Sequence, residues 1–290
     1  MNSNILVTGA NGQLGSEIKK VCSTYPDMKF LFTNATDLDI SDKTAIEKIC
    51  KENNIHSIIN CAAYTAVDKA EDDADNADRV NHLAVKYLAE VAKDMNISLI
   101  HISTDYIFDG KNYRPYLEDD HSAPQSIYGK TKLLGEQALL KINPSNTIII
   151  RTSWVYSSFG SNFVKTMLRF GNDKDELDVI FDQVGTPTYA EDLAKVILDI
   201  LPQLNDEDVQ TYHYSNEGVC SWYDFAKTIF ELSDITCKVN PIETKDYPTP
   251  ATRPHYALLN KAKIKTAFNI EIPYWKDSLK SCLKTLKENT

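Results

Sequence analysis

A tyrosine and a lysine lie four residues apart in the segment SIYGKTKLLGEQ, at Tyr128 and Lys132. On a helix this spacing places both side chains on one face, one turn apart. A tyrosine normally has a pKa of about 10, and a nearby ammonium favours the phenolate and lowers that pKa. The pair therefore indicates a tyrosine that exchanges a proton with a substrate. A surface pair without function has the same spacing and stays an alternative.

Two hydroxyl side chains, Ser103 and Thr104, end the apolar run that precedes this segment. Open α/β sheets bind their ligands beyond the carboxyl ends of the strands. If the run is such a strand, the two hydroxyls reach the edge of the sheet where a site is built. This position favours a functional interpretation of Tyr128 and Lys132.

Three glycines at a spacing of three, Gly9, Gly12 and Gly15, follow an apolar run in TGANGQLG. A dinucleotide site needs glycines for a tight turn, for close approach of the backbone to the pyrophosphate, and for helix–strand packing. The following helix holds the anion with its free N–H groups and its dipole. The spacing differs from the commoner G-x-G-x-x-G, and a glycine-rich turn without a ligand stays an alternative.

The residues that would contact the cofactor ribose follow the second apolar run. An acid there favours NAD, whereas an arginine admits the 2′-phosphate of NADP. This chain has Asn34 at that place, with Asp37 and Asp39 farther on. The choice between NADP(H) and NAD(H) is therefore open. Asp39 fits a ligand role and the role of an acid leading into a helix equally well.

Short apolar runs alternate with longer amphipathic segments in the first half, which predicts an α/β fold with a parallel sheet covered by helices. The predicted strands are Ile5–Thr8, Lys29–Thr33, Ser57–Cys61, Ile97–Ser103 and Thr147–Thr152, with later ones at Asp178–Phe181 and Tyr212–Ser215. The predicted helices cover 12–23, 41–54 with Ser41 as N-cap, 80–91, 128–140, 190–201, 221–232 and 275–286. Residues 245–255 are predicted as a loop.

Composition excludes several classes of protein. The chain has 290 residues, 42% of them hydrophobic, and a net charge of −10. A nucleic-acid-binding protein would need a basic face, so no nucleic-acid partner is expected. The six cysteines form no C-x-x-C pair and no zinc spacing, which indicates reduced thiols and no zinc site. We find no signal-peptide pattern and no membrane-spanning run, and we expect a cytoplasmic protein.

Seven segments together resemble the extended short-chain dehydrogenase/reductase family and, within it, the dTDP-4-dehydrorhamnose reductases. They are CAAYTAVDKAE (61–71), STDYIFDG (103–110), YGKTKLLGE (128–136), RTSWVY (151–156), NFVKTML (162–168), DQVGTPT (182–188) and YPTPATRPH (247–255). The resemblance covers essentially the whole chain. It implies a Rossmann-type doubly wound parallel sheet with a smaller α/β C-terminal substrate lobe. We expect residues 1–155 to form the NAD(P)-binding domain, with about 182–212 returning to it, and 156–290 to form mainly the lobe.

The resemblance also implies roles for single residues. Tyr128 resembles the proton donor, Lys132 the residue that orients the cofactor ribose and tunes that tyrosine, and Thr104 a hydroxyl that binds the substrate. The implied cofactor contacts are Gly9, Asn11, Gly12, Gln13, Leu14, Gly15, Asp39, Ile40, Ala62, Ala63, Tyr64, Tyr128 and Lys132. The implied substrate contacts are Thr104, Asp105, Trp154, Asn162, Gln183 and Arg253, the last because a planar guanidinium suits a diphosphate.

The chain departs from the family pattern in two places. Tyr64 stands where a histidine is familiar, which matters little if the contact is made by the backbone. Glu17 and Glu191 match two glutamates of magnesium-linked dimers in some family members, but a third near the C-terminus is not found. Solvated helix acids are therefore the favoured interpretation of both, and a monomer or a homodimer is expected.

The implied reaction is reduction of the C4 keto group of a dTDP-4-keto-6-deoxy sugar by NAD(P)H. A dehydratase of the same fold would carry an acid pair after Thr104, whereas this chain has Asp105 and then Tyr106. An epimerase uses the same tyrosine and lysine and stays an alternative. A non-catalytic regulatory subunit is the remaining alternative, against which the intact Tyr128, Lys132 and Thr104 argue.

Overall fold

A computed structural model describes residues 3–288. The strands are Ser3–Thr8 (β1), Met28–Phe32 (β2), Ser57–Asn60 (β3), Ser98–Thr104 (β4), Thr147–Thr152 (β5), Val155–Tyr156 (β6), Glu176–Ile180 (β7), Val184–Gly185 (β8), Thr188–Tyr189 (β9), Gln210–His213 (β10), Cys220–Ser221 (β11) and Lys238–Ile242 (β12). The helices are Gln13–Val21 (α1), Lys43–Glu52 (α2), Val67–Ala70 (α3), Ala74–Asp78 (α4), Ala84–Met95 (α5), Ile127–Ile142 (α6), Phe163–Asp173 (α7), Ala190–Ile200 (α8), Trp222–Leu232 (α9), Ala262–Phe268 (α10) and Trp275–Glu288 (α11).

Six strands form one parallel sheet in the order β10-β5-β4-β3-β1-β2. Its strands are nearly continuous apolar runs because both faces are covered by helices. One face packs on α1 and α8, and the other packs on α2, α5 and α6. The strand order reverses beside β1, which is where ligands bind in sheets of this kind. The predicted doubly wound α/β fold is confirmed.

The second half builds three small sheets beside the main one. β7 and β12 are parallel, β6 and β9 are parallel, and β8 and β11 are antiparallel. An aromatic-rich cluster of buried side chains from α7, α9 and α11 packs under them. From the same half, α8 packs on α1 and β10 joins the edge of the main sheet. No helix within residues 3–288 is long and apolar enough to cross a membrane.

The helix that leads away from β2 begins differently from the prediction. The N-cap of α2 is Asp42, whose side chain accepts from the amide of Ala45, so the prediction of Ser41 was wrong. The Ser41 hydroxyl donates instead to the carboxylate of Asp39 at 2.6 Å. The predicted helix over 80–91 is present, but its first residues form a π turn at Arg79–Leu83 that joins α4 to α5.

Candidate active site at the carboxyl edge of the sheet

The turn after β1 has the form that a dinucleotide requires. Gly9 has φ +65°, and a Cβ there would lie 2.6 Å from the amide nitrogen of Ala62. A Cβ on Gly15 would lie 2.5 Å from the Gly9 carbonyl oxygen. Gly12 precedes α1, and no side chain caps that helix. The N–H groups of its first turn are thus left for a phosphate, so this turn fits the pyrophosphate of NAD(P).

The glycine turn is joined to the second half of the chain by Gln13 and Asn162. The Asn162 amide donates to Gln13 Oε1 at 3.0 Å and to the Ser157 carbonyl at 2.7 Å. Its oxygen accepts from the amide of Lys165 and so caps α7. Two residues from different predicted sites, one for the cofactor and one for the substrate, therefore contact each other.

The residues predicted beside the adenine lie in the loop after β2. Asp39 is exposed, and its carboxylate accepts from Ser41 and from the Arg79 guanidinium at 3.3 Å. The hydrogen bonds from Ser41 and, to a smaller extent, the charge of Arg79 lower the pKa of Asp39. The side chain of Ile40 is buried in the core against α2 and α5, so only its backbone lies at the surface of this loop.

The loop after β3 carries Ala62, Ala63 and Tyr64, all half-buried. Asn81, in the π turn, accepts from the Tyr64 amide at 2.9 Å and donates to the Tyr64 carbonyl at 3.1 Å. The loop is thereby fixed through its backbone, whichever side chain stands at position 64. Asn81 was not found by sequence reasoning, since a buried asparagine within a helical pattern gives no local signal.

Tyr128 and Lys132 are both buried on α6, next to the end of β4. The ring of Tyr106 packs edge-on against Tyr128 at a centroid distance of 5.4 Å. The Lys132 ammonium donates to the Ile102 carbonyl at 2.6 Å and lies 3.4 Å from Nε2 of His101. The spacing thus places both side chains on the buried face of one helix, and the surface-pair alternative is wrong.

Burial dominates the ionisation of both groups. It raises the pKa of Tyr128 to about 12, against a smaller lowering by the Thr104 hydroxyl. It lowers the pKa of Lys132 to about 8, against the nearby Glu136 carboxylate. Lys132 is not among the groups that shift the pKa of Tyr128 here, because its ammonium is directed to the Ile102 carbonyl, and its tuning of this tyrosine stays a prediction. A phenol that stays protonated at neutral pH is in the form that a proton donor needs.

Asp105, next to Thr104, is buried at the same place. Its Oδ1 accepts from the Thr104 hydroxyl at 3.0 Å, and its Oδ2 has no hydrogen-bond partner among residues 3–288. Burial raises the pKa of this carboxyl to about 7, so it is partly protonated near neutral pH. Its second oxygen is therefore a buried acceptor that no group of the described chain satisfies.

A cavity of about 600 Å³ lies between α7 and the strands β7 and β12. Its lining includes Gln183, Trp222 and Arg253. Gln183 is buried and donates to the Thr244 hydroxyl at 3.1 Å. Trp154, with φ +47°, stacks on Trp222 at 3.6 Å between ring centroids. Of this stacked pair, Trp222 lines the cavity and offers an apolar ring to a ligand.

Arg253 is paired within the protein. Its guanidinium forms two hydrogen bonds with the carboxylate of Asp68, at 2.7 and 3.0 Å. Asp68 also accepts from the amide of Ala251, so α3 is joined to the C-terminal loop. Sequence reasoning assigned Arg253 to a diphosphate and did not find Asp68, because a contact between positions 68 and 253 leaves no local pattern.

The two glutamates that match a magnesium site are paired with lysines, and the interpretation of Glu17 as a solvated acid was wrong because its side chain is fully buried. Lys20 lies 2.6 Å from Oε2 of Glu191 and 3.7 Å from Oε2 of Glu17, and Lys195 lies 2.6 Å from Oε1 of Glu191. Although burial raises it, hydrogen bonds from Lys195 and Lys20 lower the pKa of Glu191 to about 2. An ammonium thus takes the place between the carboxylates, and these residues do not fit a divalent cation.

Chelation with EDTA is therefore expected to leave the melting temperature unchanged, whereas Lys20→Met lowers the free energy of unfolding by about 1–2 kcal/mol. The loss exceeds that of an ordinary surface pair because the Glu17 side chain is fully buried. Thermal and urea unfolding measure both effects. Lys48→Met, which removes an exposed pair with Glu52, is the control. A rise in melting temperature on adding Mg²⁺ to the unmodified protein would contradict this expectation.

Comparison with known proteins places the chain in a family. The model of the RmlD substrate binding domain matches residues 3–288. A dTDP-4-dehydrorhamnose reductase of Aggregatibacter actinomycetemcomitans is 41% identical over 289 residues, which cover 96% of this chain and 98% of that protein. Among solved structures, a dTDP-4-dehydrorhamnose reductase of Clostridium acetobutylicum has a TM-score of 0.92 at 44% identity, covering 98% of this chain and 99% of that one.

A further solved structure is the dTDP-4-dehydrorhamnose reductase of Bacillus anthracis in complex with NADP. It has a TM-score of 0.93 at 34% identity, covering 98% of this chain and 100% of that one. The match extends over the Rossmann sheet, the site at its edge and the small sheets beside it. The chain belongs to the dTDP-4-dehydrorhamnose reductase family that the RmlD substrate binding domain describes.

Proposed function

We propose that this chain reduces the C4 keto group of dTDP-4-dehydro-6-deoxy-L-mannose (dTDP-4-dehydrorhamnose) to give dTDP-L-rhamnose, with NADPH or NADH as the hydride source. The observation that carries the proposal is the burial of Tyr128 and Lys132 on one helix face at the carboxyl edge of the sheet. The chain is an NAD(P)H-dependent oxidoreductase. NADP in the Bacillus anthracis relative favours NADPH.

The cofactor, when bound, supplies the hydride. Gly9, Gly12 and Gly15 with the start of α1 would hold its pyrophosphate, because that turn leaves its N–H groups free. Lys132 would hold its ribose with a hydrogen that the Ile102 carbonyl and His101 do not use.

Proton transfer is the task of Tyr128. As C4 is reduced, its oxygen gains negative charge, and the phenol gives it a proton. Thr104 supports this step, because its hydroxyl lies beside the phenol and can turn its hydrogen from Asp105 to the same oxygen. Asp105 accepts from the Thr104 hydroxyl, and its unpaired oxygen would accept from a sugar hydroxyl.

The sugar nucleotide would occupy the cavity between α7, β7 and β12. Its volume of about 600 Å³ and its mixed aromatic and cationic lining suit a base, a sugar and a diphosphate. Trp154 and Trp222 offer the stacking surface, and Gln183 offers an amide. Arg253 would reach the diphosphate while its pair with Asp68 keeps the loop in place.

Tyr106 argues against the dehydratase alternative. That activity would need a second acid directly after Asp105, and the residue at this position packs its ring against Tyr128. The position is therefore apolar on the side that faces the proton donor. An epimerase leaves the amount of reduced cofactor unchanged, and so does a regulatory subunit.

The deciding experiment mixes the protein with dTDP-4-dehydrorhamnose and either NADPH or NADH and follows the absorbance of the reduced cofactor. We expect one cofactor oxidised for each sugar converted, and faster turnover with NADPH. The product is identified by mass and by NMR as dTDP-L-rhamnose. Conversion of the sugar without loss of reduced cofactor would replace the proposal with an epimerase or a dehydratase.

We also propose that the chain folds into two units. Residues 1–155, together with about 182–212, form the NAD(P)-binding domain, and the rest of 156–290 forms the sugar-nucleotide lobe. This division is supported by α8 and β10 packing on the main sheet. We propose a monomer or homodimer in the cytoplasm without a nucleic-acid partner. The net charge of −10 and six unpaired cysteines support this.

A further inference from the structure

A row of polar side chains crosses the main sheet under Lys132. Thr8, Asn60 and His101 are directly opposite one another on β1, β3 and β4. The Thr8 hydroxyl lies 2.6 Å from Oδ1 of Asn60, and Nδ2 of Asn60 lies 3.0 Å from Nδ1 of His101. Nε2 of His101 lies 3.4 Å from the Lys132 ammonium. A continuous chain of hydrogen-bonding groups thus runs from the glycine turn to Lys132.

This row differs from its neighbour on the same face of the sheet. Two residues earlier on each strand, Leu6, Ile58 and Leu99 form an apolar row that is fully buried. The polar row is 1% exposed at each of its members. Burying such groups is costly unless each one has a partner, and an apolar row would avoid that cost. The side chains on this face thus change from apolar to polar at the row that lies next to Lys132.

We propose that His101, held by Asn60 and Thr8, is a positioning residue that fixes the Lys132 ammonium for the reaction and ties it to the glycine turn. The inference rests on the role of Lys132 in the proposed function. The ring and the Ile102 carbonyl take two of the three hydrogens of the ammonium. One hydrogen of the ammonium is thus left for a ligand.

The hydrogen positions follow from the charges. Burial and the charge of Lys132 lower the pKa of His101 well below its usual value, so the ring is neutral. An ammonium can only donate, so Nε2 accepts and the ring hydrogen is on Nδ1. Nδ1 then donates to Asn60, so the proposal requires the Asn60 amide to be turned by 180° from the orientation in which its Oδ1 faces Thr8 and its Nδ2 faces the ring.

The surroundings of Lys132 determine how a substitution acts. The titratable and charged groups around it are His101 of β4, Tyr128 and Glu136 of α6, Asp105 after β4, and Arg151 of β5, which is paired with Glu136. Loss of the His101 acceptor leaves the ammonium with one fewer partner and lowers the pKa of Lys132 further. The lysine is then neutral over more of the neutral pH range.

The first test is ¹⁵N NMR of the imidazoles in the protein without cofactor, with the His101 signal assigned by its absence in His101→Gln. We expect a neutral ring with its hydrogen on Nδ1 from about pH 6 to 8. In Lys132→Met the ring loses its donor at Nε2, and the hydrogen redistributes between the two nitrogens. A hydrogen on Nε2 in the unmodified protein, or no response to Lys132→Met, overturns the proposal. This readout is independent of activity and of the proposed substrate.

The second test compares His101→Leu, His101→Gln and the control His213→Leu in pH profiles of kcat. His213 is equally buried on β10, which β5 separates from β4, and its ring nitrogens lie beside Arg151 and the Tyr116 carbonyl instead of Lys132. We expect His101→Leu to lower kcat by about 10-fold with KM for the sugar unchanged, and to move the alkaline limb to lower pH. His101→Gln keeps a hydrogen-bond acceptor for Lys132, so we expect a smaller loss of kcat and a smaller displacement of the alkaline limb. An unchanged alkaline limb in both His101 variants, or the same displacement in the control, overturns the proposal.

Discussion

Tyr128→Phe is expected to lower kcat by about 10²–10⁴-fold, the typical contribution of a positioned proton donor. The substitution removes one oxygen and keeps the ring that packs against Tyr106 at 5.4 Å. The fold, the glycine turn and Lys132 are therefore retained. Initial rates with dTDP-4-dehydrorhamnose give kcat, and fluorescence titration with NADPH gives the cofactor affinity, which should change less than about 3-fold, or about 0.65 kcal/mol.

The matched control is Tyr212→Phe. Tyr212 is a buried tyrosine on β10 that packs against Phe268, and both residues lie outside α6. It loses the same oxygen and should keep nearly full turnover. The contrast separates loss of the proton donor from loss of a buried hydroxyl. Near-normal turnover of Tyr128→Phe at every pH would remove Tyr128 from the mechanism, whether or not the reductase activity itself is found.

The main sheet could be predicted because its strands are buried on both faces. The run TIIIRT is apolar at consecutive positions, and β5 spans Thr147–Thr152 as the pattern predicts. Strands near the lobe lack this signal. β12 has the sequence KVNPI, with a proline and an asparagine, and it was not predicted. It forms because β7 lies beside it, which is a contact between distant segments that no local pattern contains.

The helices show the same limit of prediction from the sequence. The π turn at Arg79–Leu83 interrupts a regular apolar pattern that alone predicts a continuous helix. Its cause is tertiary: Asn81 turns its amide to Tyr64 and to the Thr131 hydroxyl. The Asn81 carbonyl also lies 2.2 Å from where a Cβ on Gly135 would be, so α6 approaches closely only because that residue is glycine.

For the candidate site, the sequence predicts which residues meet but not how they are charged. Helical spacing places Tyr128 and Lys132 on one face, as the structure has them. The sign of the shift in the pKa of Tyr128 depends instead on burial, and the partner of Lys132 depends on strand register. Neither quantity is present in a four-residue spacing. The pairing of Arg253 with Asp68 could not be predicted either, because it depends on how distant segments pack together.

Arg151→Met is expected to lower the free energy of unfolding by about 3–5 kcal/mol, the cost of leaving a buried charge without its partner. The Arg151 guanidinium binds Glu136 through two nitrogens, at 2.7 and 3.1 Å, and both side chains are buried. Glu136 also accepts from the Ser103 hydroxyl, and Arg151 donates to the Glu118 carbonyl. Guanidinium chloride unfolding with linear extrapolation measures the change.

The double variant Arg151→Met with Glu136→Leu separates charge from packing. It replaces the ion pair with apolar groups of similar size, so most of the lost stability should return. Activity should not return with it, because the Glu136 carboxylate raises the pKa of Lys132 against its burial. The control Arg114→Met breaks an exposed pair with Asp120 and should cost less than about 1 kcal/mol. If the double variant is as active as the unmodified protein, Glu136 serves stability alone, and the charge of Lys132 is maintained without it.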